Sequence, residues 1–301
     1  MDFYRDSPSW PHHELSRFVM AAGQRWHVQH WPAPVAGAPE VLLLHGTGAS
    51  THSWRDLAPR LAAQAGVTAA DLPGHGFSSP APASGGSLPG MAAGLLALLR
   101  ELRIAPHWLV GHSAGAAIAV QMALEEPGGI QGVVSLNGAL LPLPGWAGQF
   151  FSPLARLLAL NPLVPRVVAW HGAEQALVRR LLATTGSTLD EAGVQLYGRL
   201  VRDPDHVAGA LAMMARWDLE HFAARLPALR TPLHLVVGAG DRTVPPAEAA
   251  RLQRQMPGVP CTTLPGLGHL AHEEDPSAVA ALLQALLAGE RQSAAARQAQ
   301  A

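Results

Sequence analysis

Gly111-His112-Ser113-Ala114-Gly115 is the stretch on which the fold turns. It joins an apolar run, Trp108–Gly111, to a run of helix formers, Ala114–Glu126, that ends at Pro127-Gly128. A serine on a sharp strand-to-helix turn needs glycine at both flanks, because the backbone folds back on itself there. Such a turn lifts the Ser113 hydroxyl above the sheet. It also aims the amides and positive dipole of the following helix at the site. Taken alone, Ser113 reads equally well as a helix N-cap, a position that favours serine.

The flanking sequence favours the nucleophile. Serine is a weak nucleophile without a base, and a turn of this kind takes its partners downstream in the order serine, acid, histidine. Asp241 closes Gly238-Ala239-Gly240-Asp241, directly after the apolar run Leu233–Val237. His269 closes Gly266-Leu267-Gly268-His269, after the next short run, Cys261–Leu264. An oxyanion needs two donors. The Ala114 amide is one, and the Thr47 amide in the turn His45-Gly46-Thr47-Gly48 is the expected second.

Working outward, short apolar runs alternate with helical patterns. Strands are expected at Arg17–Met20, Arg25–Trp31, Val41–Leu44, Val67–Asp71, Trp108–Gly111 and Gly132–Leu136. Helices are expected at Ser53–Gln64, Leu88–Leu102 and Ala114–Glu126. From Ala139 to about Arg230 only helical patterns and proline joints occur. The alternation then resumes with Leu233–Val237, Ala247–Gln255, Cys261–Leu264 and Pro276–Leu287. This predicts an α/β fold with a mostly parallel central sheet and helices on both faces. The core would comprise 16–138 and 231–288, and the inserted block 139–230 a helical cap over the sheet's carboxyl edge. Residues 1–15 and 289–301 read as irregular termini.

His45-Gly46-Thr47-Gly48, Asp71-Leu72-Pro73-Gly74-His75-Gly76, Gly111-His112-Ser113-Ala114-Gly115, Asp241 and His269 together resemble the α/β-hydrolase superfamily over roughly residues 16–287. Within it, the chain is similar to a narrower group, a hydrolase encoded with bacteriochlorophyll-biosynthesis genes of phototrophic bacteria and known as a magnesium chelatase accessory protein. The segments that carry this likeness are His45–Asp56, Ser135–Leu140 and Phe151–Pro162. The resemblance implies an esterase-type hydrolase in or beside magnesium-tetrapyrrole synthesis, acting on a small apolar substrate such as a tetrapyrrole ester. The alternative it admits is a non-catalytic accessory that binds magnesium chelatase subunits or a porphyrin. A hydrolase of small metabolic esters is the remaining alternative.

Other side chains take plainer readings. With 15 histidines in the chain, His45, His52, His75 and His112 are expected to brace turns or line the pocket. His272 is a rival base, better read as partner-bound or capping the helix that starts near Glu273. Asp71 precedes Ser113 in the chain and is expected to brace the Pro73–Gly76 turn. Asn137, after the Gly132–Leu136 run, cannot serve as an acid. Phe151 and Leu154, on an apolar cap stripe, and Met213 and Trp217 are candidate pocket residues together with His112, although such stripes usually form core. A serine at 113 excludes the nucleophilic aspartate of epoxide hydrolases and haloalkane dehalogenases.

Composition sets the outer bounds. The 301 residues suffice for a core and an inserted subdomain. Net charge is −1, and all 21 basic residues are arginine, with no basic stripe, so nucleic-acid binding is not expected. The single cysteine, Cys261, excludes an internal disulfide and fits a reducing compartment. Residues 1–14 lack the basic start and apolar run of a signal peptide, and no stretch is apolar enough to span a bilayer. A cytoplasmic protein is expected, with neither cofactor nor metal, since His269 and His272 lack a third ligand at recognisable spacing.

Overall fold

A computed structural model of the chain describes residues 1–82, 85–142, 161, 163–171 and 175–299. Eight strands form one sheet: β1 (Ser16–Ala21), β2 (Gln24–Trp31), β3 (Glu40–Leu44), β4 (Gly66–Ala70), β5 (Trp108–His112), β6 (Gly132–Leu136), β7 (Leu233–Gly238) and β8 (Cys261–Leu264). Their order is β1-β2-β4-β3-β5-β6-β7-β8. The β1–β2 and β2–β4 pairs are antiparallel, and every other pair is parallel. The parallel strands therefore end on one edge of the sheet, and the residues that follow them share that edge.

The central strands are buried on both faces because successive side chains point opposite ways. On one face Leu42, Leu44 and Leu109 pack against α3 (Leu88–Leu102) and α4 (Ala114–Glu125). On the other, Val41, Leu43 and Val110 pack with Trp54, Leu57 and Leu61 of the α2 region (Ala58–Ala62) and with Leu283 of α12 (Pro276–Ala299). The strand ends lie within a residue or so of those expected. Between β6 and β7 the described residues form α5 (Leu163–His171), α6 (Gln175–Thr184), α7 (Glu191–Val201), α8 (Pro204–Arg216) and α9 (Leu219–Arg225). After β7 and β8 come α10 (Pro246–Gln255) and α11 (Ala271–Glu274).

Three expectations differ. The helix read as Ser53–Gln64 is two pieces, a 3-10 turn at Thr51–Trp54 and then α2, which carries Pro59 in its first turn. Proline cannot donate to an earlier carbonyl, so the helix restarts there. The polar tail read as irregular from 289 continues α12 to Ala299. Its alanine, arginine and glutamine residues are strong helix formers, and polarity alone does not break a helix. The N-terminal arm contains α1 (Phe3–Asp6) and two 3-10 turns, with Asp2 as N-cap bonding Arg5 N.

Candidate active site

Ser113 sits at φ 52° and ψ −116°, in the left-handed half of the map that a residue with a Cβ avoids. The glycines around it explain how the turn closes. A Cβ at Gly111 would strike the Gly115 carbonyl, and one at Gly115 would strike the carbonyls of Leu44 and His45. The strand-to-helix turn thus rests directly on the end of β3. The strained backbone is held by Ser113 N donating to Leu136 O (3.0 Å) and by Ser113 O accepting from Ala116 N and Ala139 N (both 3.1 Å).

The turn after β3 comes against the serine. A Cβ on Gly46 would lie 3.0 Å from Ser113 Cβ and 2.9 Å from His112 Nδ1. Thr47 and Gly48 follow in this turn. Ala114, as the first residue of α4, has no earlier helical carbonyl to bond. The two expected oxyanion donors thus belong to segments next to the serine, Thr47 to the turn after β3 and Ala114 to the start of α4.

Asp241 and His269 meet as their spacing suggested. His269 Nδ1 lies 2.8 Å from Asp241 Oδ2, with both residues buried. A carboxylate only accepts, so Nδ1 donates this bond and Nε2 is the ring nitrogen left facing away from Asp241. Asp241 Oδ1 accepts from the amides of Thr243 (2.8 Å) and Val244 (2.9 Å). Its Oδ2 also accepts from Asn137 Nδ2 at 2.6 Å. Asn137, which cannot be an acid, instead donates to the carboxylate of Asp241. Its φ of 48° is one that asparagine tolerates better than most residues. Its place after β6, beside β7, was the signal that could have found it.

The other histidines divide into braces and packing. His45 donates from Nδ1 to Gly46 O (2.8 Å) and accepts Leu72 N at Nε2 (2.9 Å), tying the β3 turn to the β4 turn. His52 pairs with Ser50 Oγ (2.7 Å), and His75 Nδ1 donates to Pro73 O (3.0 Å). Asp71 accepts from Thr51 N and Phe77 N and bonds His27, bracing the Pro73–Gly76 turn as its position suggested. Burial alone would raise the Asp71 carboxyl, but the His27 partner and these donors outweigh it and hold it below the usual range.

His112 Nε2 donates to the His269 carbonyl (2.9 Å), and its ring packs 4.7 Å from that of His269. Burial pushes His112 well below its ordinary value. Among the described residues His272 caps no helix and makes no side-chain hydrogen bond, although its Nε2 lies 3.9 Å from Glu273 Oε1. Its ring lies between Trp54 (4.6 Å) and His112 (4.5 Å), and neither ring nitrogen has a hydrogen-bond partner among the described residues. Burial pushes it down to about 3, so it stays neutral. The apolar surroundings that make it a poor base come from residues distant in sequence.

Of the candidate pocket residues, Met213 is buried and its Sδ accepts the Thr47 hydroxyl (3.6 Å). Trp217 is buried with Leu219 and Phe222 in the core cluster on the α3–α4 face. Phe151 and Leu154 lie outside the described residues. Helix α8 carries Met213 and docks by one face. His206 accepts Gly76 N (3.0 Å) and donates to Gly48 O (3.1 Å), and Gly209 packs against Gly74 with no side chain between them. Among the described residues no helix is long and apolar enough to cross a membrane.

The family model described as alpha/beta hydrolase fold matches residues 39–276. The magnesium-chelatase 30 kDa subunit of Rhodobacter capsulatus is 39% identical over 266 residues, covering 88% of this chain and 92% of that protein. Among solved structures, an α/β-hydrolase fold protein from Burkholderia ambifaria superposes with TM-score 0.73 at 24% identity, over 89% of this chain and 97% of that one. A thermophilic esterase from Thermogutta terrifontis superposes with TM-score 0.69 at 22% identity, over 91% and 98%. At these identities the two structures speak to fold alone, but the matched span of the family model and the chelatase-subunit relative go further: this chain belongs to the α/β-hydrolase family.

Proposed function

We propose that the chain is a serine hydrolase of the carboxylic-ester type, acting in or beside magnesium-tetrapyrrole and bacteriochlorophyll synthesis. The observation that carries the hydrolase reading is the buried Asp241–His269 pair on the same sheet edge as a strained Ser113. In this reading Ser113 Oγ attacks the acyl carbon, while His269 Nε2 takes the hydroxyl proton and returns it to the leaving alcohol. Asp241 orients the ring and stabilises its cation. The amides of Thr47 and Ala114 hold the oxyanion, where a single donor is worth roughly a hundredfold or more in rate. The pathway assignment rests on the Rhodobacter capsulatus relative. An apolar ester of the tetrapyrrole series is the substrate class we favour.

The name of that relative also supports a second reading, in which the protein is an accessory to the chelatase and turnover is incidental. Labelling with a fluorophosphonate distinguishes the two at the level of the serine. The hydrolase reading expects stoichiometric labelling of the purified protein and none of Ser113→Ala. Folded protein that stays unlabelled would overturn it and leave the accessory role.

A further inference from the structure

The link between α6 and α7 lies against both loops of the proposed triad. Thr185 O accepts from Arg242 N (3.1 Å), one residue past the acid. Gly186, at φ 85°, fits where a Cβ would run into Gly240 O, and a Cβ on Gly268 would in turn run into Gly186. Ser187 Oγ accepts from Leu270 N (2.8 Å), and Ser187 is buried. Thr188 N donates to Glu274 Oε2 (3.2 Å), whose Oε1 accepts from Gly268 N (2.8 Å). Four consecutive cap residues thus contact the acid loop, the base loop, or the glutamate that holds the base loop.

The consequence for His269 is specific. The amide before it, Gly268 N, is held by Glu274, and its own carbonyl is held by His112. The amide after it, Leu270 N, is held by Ser187. Two of these three restraints come from the core and its α11 helix, and the third comes from the cap. The same segment continues to Asp190, which caps α7 and pairs with Arg55 (2.9 Å). Arg55 in turn pairs with buried Glu273 (2.9 Å), next to His272.

We infer that Ser187 is a positioning residue for the proposed base, so that the 185–190 segment of the cap is part of the catalytic frame rather than a cover over it. The inference rests on the triad reading for its kinetic arm only. Without the Ser187 hydroxyl, Leu270 N loses a buried acceptor and the His269 ring is free to drift from Asp241. A displacement of about an ångström in a catalytic group can cost up to a hundredfold in rate.

The test compares Ser187→Ala and Ser187→Thr with the unaltered chain, using hydrolysis of p-nitrophenyl acetate, an ester too small to depend on cap contacts. It also follows the far-downfield proton resonance of His269 Nδ1, which is buried against Asp241. The expected result is a kcat reduced about tenfold or more in Ser187→Ala with KM within about twofold, and a weakened or broadened Nδ1 resonance. Ser187→Thr, which keeps the hydroxyl, should recover both. Wild-type kcat and an unchanged resonance in Ser187→Ala would overturn the inference, as would a Ser187→Thr variant no better than alanine. If the unaltered chain shows no Ser113-dependent turnover, the hydrolase reading fails by itself. The resonance then still decides whether Ser187 positions His269.

Discussion

Acidification to about pH 5 loads a proton penalty onto the buried histidines, and His272 allows its size to be isolated. Its ring is 1% exposed and lies among Trp54, His112, His269, Arg55 and Glu273. Burial lowers it from an ordinary 6.5 to about 3 in the folded chain. Above about pH 6.5 both folded and unfolded states are neutral there and the group contributes nothing. As pH falls below that, the unfolded chain takes the proton and the folded one does not, so stability is lost progressively until about pH 3. At about pH 5, roughly 1.5 below the ordinary value and at about 1.4 kcal/mol per unit, the loss is about 2 kcal/mol. His206, lowered to about 4, adds a loss of similar size. Together they remove about 4 kcal/mol from a total stability of order 5–15 kcal/mol. Glu273 works in the opposite sense: burial raises it to about 7, so the stability it contributes below its ordinary range is lost as pH rises through 7. Replacing His272 with Phe removes one titration and two unbonded buried nitrogens, while Glu273 remains common to both proteins. Urea unfolding at about pH 7.5 and about pH 5 should show the Phe variant losing about 2 kcal/mol less than the parent across that interval. Any cost in packing is the same at both pH values and cancels. An equal decline in the two proteins would refute the claim that a neutral, buried His272 carries this pH dependence.

Two further outcomes follow from single contacts. Asn137→Ala removes a 2.6 Å donor to Asp241, so fluorophosphonate labelling should slow by about tenfold with the fold intact. Asn137→Asp should slow it further, because a second carboxylate beside Asp241 disfavours the charged acid. Arg55→Met leaves Glu273 buried without its cation, and chemical denaturation at about pH 8, above the value of about 7 to which burial raises Glu273, should show a loss of about 3 kcal/mol that shrinks as the pH is lowered and the carboxyl is protonated. Adding Glu273→Gln should return part of it.

The sheet could be read from the sequence because its strands are short apolar runs between glycines and prolines, and because the elbow glycines fix one geometry. The sharp turn at Ser113 and the meeting of Asp241 with His269 could be read for a related reason: each residue stands shortly past a recognisable strand. Asn137 meets the same criterion, but an asparagine cannot itself be the acid, and its bond to Asp241 depends on β6 and β7 lying side by side. Ser187 and Glu274 had no local signal. Their role exists only because the α6–α7 link is folded onto loops about 80 residues further along. His272 illustrates the same limit from the other side. Sequence placed it beside acidic residues, whereas the fold turned its ring into Trp54, where charge is costly.

The contact of Gly209 with Gly74 bears on how this chain could be recombined with its relatives. Backbone meets backbone there, with the carbonyl of Gly74 occupying the space a Cβ on residue 209 would need. A segment between β6 and β7 taken from another hydrolase would carry its own residue at that crossing, and any residue with a Cβ would lift the helix off the turn after β4 and draw Met213 away from Thr47. The two glycines therefore form a compatibility pair. A chimera that inherits one without the other should be assembled poorly at the turn after β3, even with Ser113, Asp241 and His269 all present.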